Sequence, residues 1–482
     1  MVTLYKNNPF LFIQVLFIVL ACFFSQGHFH FDEHFQILEF LNFKLGNIKS
    51  HELPWEFAAQ IRPWSQVFVY FITTKFLYFF NLIDHFILPI FFRFMTAVLS
   101  IISLFLTTKV VQKKYSLPGS YNLLFASAFT LWFWPFLSAR ISAECFNGLI
   151  FYNCVLIYLL QTNVHRAVKF SIFFVMLFAI WVRIQIAPAL LGFCFWAYFV
   201  DKSLKGNLAV MFIAFASSIL VNLAIDFWGY NVWTLTPWNY FYHNLFNDRA
   251  SSFGVSPWYS YFPWIITKSG NPIGGLLIVL SLFFLWVQRP KSMITWITLP
   301  FIMLHLLIGH KELRFLFPVA FFVPLILVEI FGPLMQQKHT KVFVYTFAVL
   351  NLAIGLVMSL RPASALIPIY KVMMAQKLPV SKLYYFGGEN PLRPGDLPMN
   401  WYFSNDFQTI NIESAKEITE NDRTWVFTDR HFRWKELQRL EDKHTCVRLS
   451  KSPFEFLYDF VPEKIMSKTR IFVLWECQVI RT

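Results

Sequence analysis

Two adjacent carboxylates follow the first long apolar run of this chain and are its first candidates for chemistry. Asp32 and Glu33 come a few residues after the apolar run over residues 9–24. A carboxylate at the mouth of a membrane span can act as a general base and remove the proton from a reacting hydroxyl. The alternative is a solvated loop, or carboxylates that are paired with Arg62.

Histidines surround this acidic pair. His28, His30 and His34 lie beside Asp32, and imidazole together with carboxylate forms a donor set that divalent metals accept. The rest of the sequence offers no second group of ligands at a fixed spacing. We therefore expect neither a metal site nor a cofactor, and we keep a divalent metal as the open alternative.

Three arginines, Arg140, Arg183 and Arg314, lie in or beside apolar segments. Charges at membrane depth are costly, so they face the protein interior or a wet cavity and are candidates for function. The planar guanidinium of arginine suits the oxygens of a phosphate group. Arg140 and Glu144 are four residues apart, which also permits a purely structural pair on one helix face.

Two further segments combine residue types that suit a binding site. An apolar run is interrupted by four ionisable side chains, which a simple turn would not need: His310, Lys311, Glu312 and Arg314. The loop over residues 227–264 is rich in tryptophan and tyrosine. Flat aromatic faces suit sugar rings, and Trp and Tyr also anchor proteins at membrane interfaces. Both interpretations of the loop stay open.

The composition requires membrane helices to position these residues. Of 482 residues, 57% are hydrophobic, 20% aromatic and only 14% charged, and the mean hydropathy is +0.51. Globular chains contain about 25% charged residues, so a soluble protein of this length is excluded. The net charge of +14 is typical of basic cytoplasmic loops next to lipid headgroups, so we expect a membrane lipid and no nucleic acid as partner.

The charge density changes sharply near residue 370. Residues 1–370 carry 36 charged side chains and the much shorter segment 371–482 carries 32. We predict a membrane-embedded domain over residues 1–370, with outer-face loops at 25–65 and 227–271. Residues 371–482 are then an extracytoplasmic soluble α/β tail.

About 20 apolar residues are needed for one membrane span. The sequence predicts a polytopic α-helical membrane protein of about 10–12 spans. The segment 168–200 can be one tilted helix or two half-helices around Pro188. The apolar runs are 9–24, 66–82, 86–107, 121–138, 144–161, 168–200, 208–226, 272–287, 294–309, 314–332 and 342–360.

Orientation follows from the lysines and arginines of short loops, which are enriched on the cytoplasmic side. The basic positions near 6, 202–205, 289–291 and 338–341 share one side by this count. The tail and the aromatic loop then lie on the outer face. The lysines at 109–114 also fall on the outer face by the same count, against the rule.

Short apolar segments indicate strands in the tail. We predict strands at 425–427 and 471–474 and a helix at 431–443. Cys446 and Cys477 both lie in this tail. On the outer side they can form a disulfide, and two buried thiols are the alternative.

Six motifs occur in a fixed order between residues 28 and 318. They are His30-Phe31-Asp32-Glu33-His34-Phe35-Gln36; Trp55-Glu56 with Ile61-Arg62; Ser138-Ala139-Arg140 with Glu144; Val182-Arg183; the aromatic loop with Asp226-Phe227-Trp228-Gly229-Tyr230, Thr236-Pro237-Trp238-Asn239-Tyr240 and Pro257-Trp258-Tyr259; and His310-Lys311-Glu312-Leu313-Arg314-Phe315. In this order they resemble glycosyltransferase family 22. That family contains the polyprenyl-phosphate-mannose-dependent mannosyltransferases of glycolipid-anchor and lipid-linked-oligosaccharide assembly.

The resemblance implies a type C glycosyltransferase architecture and an inverting sugar transfer. The donor would be a polyprenyl-phosphate sugar, with mannose favoured, and the acceptor a lipid-linked glycan on the outer face. Position by position, Asp32 corresponds to the base, with Glu33 beside it. The residues that the resemblance implies for donor-phosphate and acceptor binding are Arg62, Arg140, Glu144, Arg183, Trp238, Asn239, His310, Lys311, Glu312 and Arg314.

Departures from the family pattern leave the donor sugar open. Phe31 and Pro63 replace Pro and Ser, and Ile184-Gln185 replaces Pro-Thr. Another type C transferase that moves a different lipid-linked sugar is therefore an alternative. A lipid or glycolipid transporter is less favoured, because the sequence contains no internal repeat and its ionisable groups cluster at one membrane face. No Asn-x-Ser/Thr sequon occurs, which favours a bacterial cytoplasmic membrane over the endoplasmic reticulum.

Overall fold

The computed structural model describes most of the first 375 residues and parts of the remainder. The described residues form two compact units, each treated separately below. The first consists of Met1–Ser25, Trp55–Phe76 and Pro89–Arg361, and the second of Gln26–Pro54, Leu77–Leu88 and Pro362–Thr482. The described ranges are 9–81, 84–114, 128–161, 165–333, 340–375, 382–386, 390–394, 397–403, 408–413, 417–418, 424–429, 444–451 and 472–479.

The chain enters the second unit three times. Its last entry, at residue 362, is close to the boundary that the charge density predicts near residue 370. Residues 26–54 and 77–88 also belong to this unit, although the predicted division assigns them to the membrane-embedded part. The side of a membrane on which each unit lies stays a prediction.

The first unit is helical, as its apolar composition requires. Its α-helices are Pro9–Phe24, Trp55–Ala58, Ser65–Phe79, Leu88–Lys114, Trp134–Ser138, Ala143–Leu160, Arg166–Val182, Ala187–Phe195, Leu208–Tyr230, Thr236–Phe241, Tyr261–Thr267, Pro272–Gln288, Met293–Leu307, Phe317–Ala320, Val323–Phe331 and Thr340–Leu360. Shorter 3₁₀ or π turns connect several of them: Ile184–Ile186, Trp196–Val200, Lys205–Asn207, Tyr242–Phe246, Arg249–Phe253, Trp258–Ser260 and Leu313–Leu316. Residues 121–127 of the predicted run over 121–138 lie outside the described residues, and each predicted run contains a helix in its described part.

Several of these helices can cross a membrane by length and composition. Four qualify alone: Leu88–Lys114, Ala143–Leu160, Lys205–Tyr230 and Val342–Leu360. The number rises to six if each of two bent pairs is one span, and two apolar helices, Phe10–Phe24 and Ile184–Val200, are shorter. The protein is therefore a multi-pass membrane protein. The total of 10–12 spans stays a prediction, because only the described residues can be counted.

The apolar run over 168–200 is broken, and the break creates part of the site described below. Helix Arg166–Val182 ends at Arg183, whose backbone is extended (φ −157°, ψ 114°). The next helix, Ala187–Phe195, has Pro188 in its first turn, where proline lacks no needed hydrogen bond. Of the two alternatives for this run, the structure has the pair of half-helices, with the break five residues before Pro188.

The lysines at 109–114 do not lie where the sequence count places them. Lys114 Nζ is 3.9 Å from Glu329 Oε1, and Glu329 Oε2 accepts a hydrogen bond from Ser292 (3.0 Å). Ser292 is the neighbour of Lys291, so these two basic segments lie at the same end of the unit. The predicted placement of 109–114 opposite Lys291 is therefore wrong.

The cause of this error is the segment 66–82, which the sequence predicts as a span. The structure has a helix of 15 residues there, Ser65–Phe79, and it does not satisfy the length and hydropathy of a span. Its Tyr70 stacks on Phe92, near the start of helix Leu88–Lys114 (ring centroids 4.3 Å apart). If 66–82 does not cross the membrane and the two half-helices of 168–200 cross it separately, the lysines at 109–114 share a side with the other basic loops, as the positive-inside rule requires.

The second unit contains a mixed five-stranded sheet. The strands are β1 (Lys382–Phe386), β2 (Gln408–Ile412), β3 (Thr424–Asp429), β4 (His444–Lys451) and β5 (Phe472–Val479), in the order β2-β1-β3-β5-β4. Strand β1 pairs in parallel with β2 and β3, and β5 pairs antiparallel with β3 and β4. The two predicted strands are confirmed as β3 and β5. The predicted helix over 431–443 lies outside the described residues.

A disulfide joins the last two strands. Cys446 of β4 and Cys477 of β5 are directly paired in the sheet, and their sulfurs are bonded. Of the two predicted alternatives, a disulfide or two buried thiols, the structure contains the disulfide. Cys477 also belongs to the buried cluster on the sheet with Tyr384, Phe386 and Val426.

The same unit includes the segment that follows the first helix. The carbonyl of Gln26 accepts hydrogen bonds from the backbone N–H groups of Ala363 (2.9 Å) and Ser364 (3.0 Å). Gly27 has a φ of +84°, and a Cβ there would lie 2.5 Å from Ser364 Cβ, so this close approach requires glycine. Helix Ile367–Ala375 begins just beyond this contact.

Candidate active site

A single buried carboxylate organises the charged residues of the first unit. Glu144 Oε1 lies 3.0 Å from Arg183 Nη2 and 3.1 Å from Arg314 Nη1. The three residues are 1%, 4% and 8% exposed. Removing charges from water is costly unless they are paired and hydrogen-bonded, and this mutual pairing explains how three charges remain inside a unit of apolar helices.

Each of these residues is held at the end of a helical element. Helix Ala143–Leu160 is capped by Ser142, whose hydroxyl accepts from Cys145 N–H (3.2 Å), so Glu144 lies in the first turn. Negative charge in a first turn is stabilised by the helix dipole. Arg183 occupies the break after Val182, and its carbonyl accepts from Asn147 Nδ2 (3.0 Å).

The cluster continues into the segment after residue 309. Arg314 Nε donates to Glu312 Oε2 (2.5 Å), and Arg314 Nη2 donates to Glu312 Oε1 (3.1 Å). His310 Nε2 lies 3.0 Å from Glu312 Oε1. We call Glu144, Arg183, Glu312, Arg314 and His310 the Glu144 cluster.

Two neighbours of the Glu144 cluster are buried ionisable side chains. Lys311 is buried, its Nζ donates to the carbonyl of Ile308, and burial lowers the pKa of this amine. Tyr261 is buried as well, and burial raises the pKa of its hydroxyl. Tyr261 lies close enough to Glu312 and Arg314 to interact with them electrostatically.

Tyr240 connects the aromatic loop to the arginines. Its ring lies under the guanidinium groups of Arg62 (5.6 Å) and Arg183 (6.0 Å), at cation–π distance. Its hydroxyl accepts from Gln185 Nε2 (3.4 Å), and Gln185 Oε1 accepts from Arg183 Nε (3.3 Å). Arg62 also pairs with Glu56 (3.4 Å). The sequence analysis includes Tyr240 in the motif without assigning it a role.

Asp226 is an organising residue that the candidate set omits. One carboxylate oxygen accepts from Trp64 N–H (2.9 Å), and the other accepts from the hydroxyl of Thr236 (2.6 Å). Asp226 therefore joins the segment that follows Arg62 to the start of helix Thr236–Phe241. The sequence could have identified Asp226, because it is a lone aspartate in the apolar run 208–226 and charged residues in such runs usually have a function.

The other candidates of the aromatic loop have different environments. Asn239 Nδ2 donates to the carbonyl of Gln60 (3.1 Å) and to the hydroxyl of Thr234 (2.8 Å), so this amide holds two loops together. Trp238 is 55% exposed. Its open ring is compatible with both a sugar platform and an interfacial anchor.

Arg140 lies before the helix rather than on it. Helix Ala143–Leu160 begins three residues later, so the alternative of a pair with Glu144 on one helix face is wrong. Arg140 Nη2 donates to the carbonyl of Ser25 (2.8 Å) and to its hydroxyl. Arg93 donates similarly to the carbonyl of Cys22 (2.8 Å), so two cations stabilise the C-terminal end of helix Pro9–Phe24.

Asp32 and Glu33 belong to the second unit, and their surroundings differ. Both lie in the short helix Phe31–Glu33, where the ring of His30 accepts from Asp32 N–H (3.2 Å). The Asp32 side chain is 20% exposed. Glu33 is 2% exposed, and its Oε2 accepts from Phe29 N–H (3.2 Å). Of the two carboxylates, Asp32 is therefore the more accessible.

The histidines of this segment have individual partners. His30 caps the helix, and His34 Nε2 lies 2.8 Å from Glu39 Oε1. In the described part of the chain, no group of three or more His, Cys, Asp or Glu side chains could hold a metal ion.

One protein family accounts for most of the chain. The model of the Alg9-like mannosyltransferase family matches residues 9–383. The chain belongs to the Alg9-like mannosyltransferase family. The resemblance to glycosyltransferase family 22, based on short motifs between residues 28 and 318, is thereby confirmed.

Relatives within the Alg9-like family match parts of the chain at about one quarter identity. GPI mannosyltransferase 3 of Candida albicans is 26% identical over 171 residues, which are 36% of this chain and 33% of the relative. A probable Dol-P-Man:Man(7)GlcNAc(2)-PP-Dol alpha-1,6-mannosyltransferase of Schizosaccharomyces pombe is 25% identical over 173 residues, 35% of this chain and 30% of the relative. The matches thus span about a third of the length of these relatives.

Solved structures of a bacterial protein share the fold. The crystal structure of ArnT from Cupriavidus metallidurans bound to undecaprenyl phosphate aligns with a TM-score of 0.56 at 10% identity, and 97% of each chain is covered. The apo structure aligns with a TM-score of 0.52, at 10% identity, over 95% of this chain and 96% of ArnT. At this identity the likeness establishes the fold alone. The predicted type C architecture, a polytopic helical membrane protein with a small α/β part, is confirmed.

Proposed function

We propose that this chain is an inverting glycosyltransferase that moves mannose from a polyprenyl-phosphate donor to a hydroxyl of a lipid-linked glycan on the outer membrane face. Membership of the Alg9-like family supports the reaction class. The names of the two relatives support mannose as the sugar and a lipid-linked or glycolipid-anchor glycan as acceptor. The ArnT structure with undecaprenyl phosphate supports a lipid phosphate as the donor's carrier.

The Glu144 cluster is the observation that carries this proposal. It contains two buried arginines whose planar groups suit phosphate oxygens. With Arg62–Glu56 and Lys311 added, four cations accompany three carboxylates, which leaves one positive charge when His310 is neutral. Such a charge balance suits the single negative charge of a sugar phosphodiester.

The chemistry requires one proton and one electron pair to move. The acceptor hydroxyl attacks the anomeric carbon, the bond between this carbon and the phosphate oxygen breaks, and the electron pair leaves with the phosphate. The negative charge on the phosphate increases from −1 to −2 in this step. Fixed cations therefore bind the transition state more strongly than the donor. Stabilisation of this kind is usually the largest contribution in enzymes.

The released proton needs a base, and we assign this role to Asp32. Its carboxylate is partly exposed, whereas that of Glu33 is buried and accepts from the N–H of Phe29, just before the helix. Glu33 then supports the conformation of the segment. A positioned carboxylate base contributes typically ~10²–10⁴-fold to the rate.

Alternatives from the sequence analysis concern the sugar and the reaction class. A different lipid-linked sugar is compatible with the Glu144 cluster, because in this proposal the cluster binds the donor phosphate and not the sugar. The ArnT likeness does not favour one sugar. No relative or structure reported above supports the transporter alternative. The bacterial or endoplasmic origin of the membrane stays a prediction.

A donor panel tests the proposal directly. The purified protein is incubated with polyprenyl-phosphate mannose, glucose and aminoarabinose in separate reactions with lipid-linked glycan acceptors, and the product lipids are identified by mass spectrometry. We expect transfer from the mannose donor with inversion at the anomeric carbon. Transfer from another sugar alone would correct the donor, and no transfer from any lipid-phosphate sugar would contradict the proposed function.

Arg183 separates phosphate binding from folding. Arg183→Ala should weaken donor binding strongly, whereas Arg183→Lys keeps the charge without the planar fork and should recover only part of it. Arg166, at the exposed start of the same helix, provides the matched control Arg166→Ala, about 25 Å away along the helix. If Arg183→Ala aggregates in detergent and Arg183→Lys restores folding but not transfer, Arg183 is a structural residue.

A further inference from the structure

A continuous helical segment of the second unit carries Asp32. It consists of Phe31–Glu33, a π-helical turn His34–Leu38 and the α-helix Glu39–Lys44. The N–H of Glu39 bonds to the carbonyl of His34, five residues earlier. In an α-helix, residues five apart face about 140° away from each other, whereas the i→i+5 hydrogen bond of a π turn brings them onto the same side. The π turn thus allows the side chain of Glu39 to reach His34, two residues after Asp32.

The carboxylate of Glu39 binds a distant part of the same unit. Its Oε1 accepts from Trp401 N–H (2.8 Å) and lies 2.8 Å from His34 Nε2, while Oε2 accepts from Asn42 Nδ2 (3.2 Å). Glu39, His34 and Trp401 are all fully buried. A buried carboxylate is stable only when its oxygens are hydrogen-bonded, so Trp401 is part of the environment that holds Glu39 and His34.

Ring contacts fix the same connection from the other side. The ring of Tyr402 stacks on that of His34, with centroids 5.6 Å apart and planes 20° apart. Trp401 Nε1 donates to the carbonyl of His85 (2.8 Å). One further bond, from Asn400 to Glu52 (3.2 Å), joins the same segments away from the Asp32 helix.

We propose that residues 399–403 are a positioning element for Asp32, acting through the carboxylate of Glu39 and the ring of His34. This inference rests on the proposed function only in the role of Asp32. It assigns a task to the C-terminal part of the chain, for which the sequence analysis offers none. General-base catalysis requires the base within hydrogen-bond reach of the proton, and a displacement of 1 Å can lower a rate by about 10²-fold.

Glu39→Ala tests this role, because it removes the acceptor of both Trp401 and His34. We expect kcat to fall by about 10²-fold, while the KM for the donor stays near wild type, since the predicted donor-phosphate contacts lie in the first unit. Hydrogen–deuterium exchange of a peptide covering residues 29–40 should accelerate. The variant Glu39→Gln retains an acceptor oxygen for Trp401 N–H and should recover most of the rate and the protection.

A matched control separates positioning from general loosening. Glu52→Gln weakens the bond from Asn400 between the same segments, without touching the Asp32 helix, and should leave kcat and exchange unchanged. If Glu39→Ala does not fold, Tyr402→Leu removes the stacked ring and leaves the carboxylate intact, and it should show the same change in smaller measure. Equal losses in Glu52→Gln and Glu39→Ala would contradict the inference.

Exchange and turnover distinguish a failure of this inference from a failure of the proposed function. Unchanged exchange of residues 29–40 in Glu39→Ala overturns the positioning role, whatever the turnover. Full turnover by Asp32→Asn overturns the assignment of the base. If Asp32→Asn keeps full turnover, and Glu39→Ala shows faster exchange with a wild-type kcat, residues 399–403 stabilise the fold but do not position a base. This result also overturns the inference.

Discussion

Replacing Asp32 with asparagine tests the proposed chemistry at the level of a single proton. The substitution keeps the size and the planar shape of the side chain, but an amide cannot accept the proton of the acceptor hydroxyl. The Asp32 side chain is 20% exposed, and its Oδ1 lies 3.4 Å from His30 Nδ1. Asparagine keeps an oxygen for this contact, and the hydrogen bond from the backbone N–H of Asp32 to His30 is unaffected. The fold should therefore tolerate the change, with a stability effect within about 0.5 kcal/mol.

The expected loss of turnover is at least ~10²-fold. This factor corresponds to about 2.7 kcal/mol of activation free energy. Donor binding should stay near wild type, because the predicted contacts to the donor phosphate are made by other residues.

Glu33→Gln is the internal control. It should lower the stability of the protein more than Asp32→Asn does, and lower turnover less. Glu33 is buried and accepts the N–H of Phe29. Glutamine keeps an acceptor oxygen but loses the charge that strengthens this bond, which should cost about 1 kcal/mol of stability. Glu33→Gln should thus melt at a lower temperature than Asp32→Asn and retain more turnover.

Single-turnover transfer with labelled donor, and thermal melting in detergent, measure the two quantities on the same preparations. The reasoning is refuted if Asp32→Asn transfers sugar at a near-normal rate. It is also refuted if Glu33→Gln loses more turnover than Asp32→Asn. In either case the search for the base moves to Glu33 or Glu56.

Three further predictions concern the fold. Gly229→Ala should destabilise the protein by about 1–3 kcal/mol, visible in thermal melting, because its Cβ would lie 2.1 Å from Cγ of Trp64; an unchanged melting temperature would mean that the ring can move. The double variant Cys446→Ser, Cys477→Ser should lose about 3–4 kcal/mol, the effect of opening a loop with a sequence separation of 31, and thiol reagents should label the wild-type pair only after reduction. A single cysteine at position 113 should be labelled from the same side of the membrane as the other basic loops. Labelling from the opposite side would mean that 66–82 is a membrane span after all.

The sequence predicts the helices and the residues of the site well where the signal is local. Apolar runs mark the helices, because a membrane span needs a continuous apolar surface. Glu144, Arg183 and Arg314 are identified as charges inside apolar surroundings, and the structure brings all three together. Membrane depth makes such charges costly, so few arrangements other than mutual pairing are available.

The sequence fails where a contact depends on distant segments or on one boundary. Arg140 precedes its helix because Ser142 is the cap, and a spacing of four residues cannot reveal where a helix begins. The segment 66–82 has the composition of a short span, so one error of this kind reverses the predicted side of residues 109–114. The hydrogen bond between Asp226 and Trp64 joins residues that are more than 160 positions apart in the sequence. No local sequence pattern predicts such a contact.

The bond between Glu39 and Trp401 also has a consequence for biosynthesis, since its partners are 362 positions apart. At a translation rate of ~5–20 residues per second, the ribosome needs roughly 20 to 70 s to reach the second partner after the first. During this interval the carboxylate of Glu39 cannot be buried in its final surroundings, and water or a chaperone must satisfy it. A newly made chain can therefore acquire its mature Asp32 segment only after nearly all of the membrane helices have been inserted. Synthesis of residue 401, rather than insertion of the first helix, then sets the earliest moment at which the Asp32 segment can reach its final conformation.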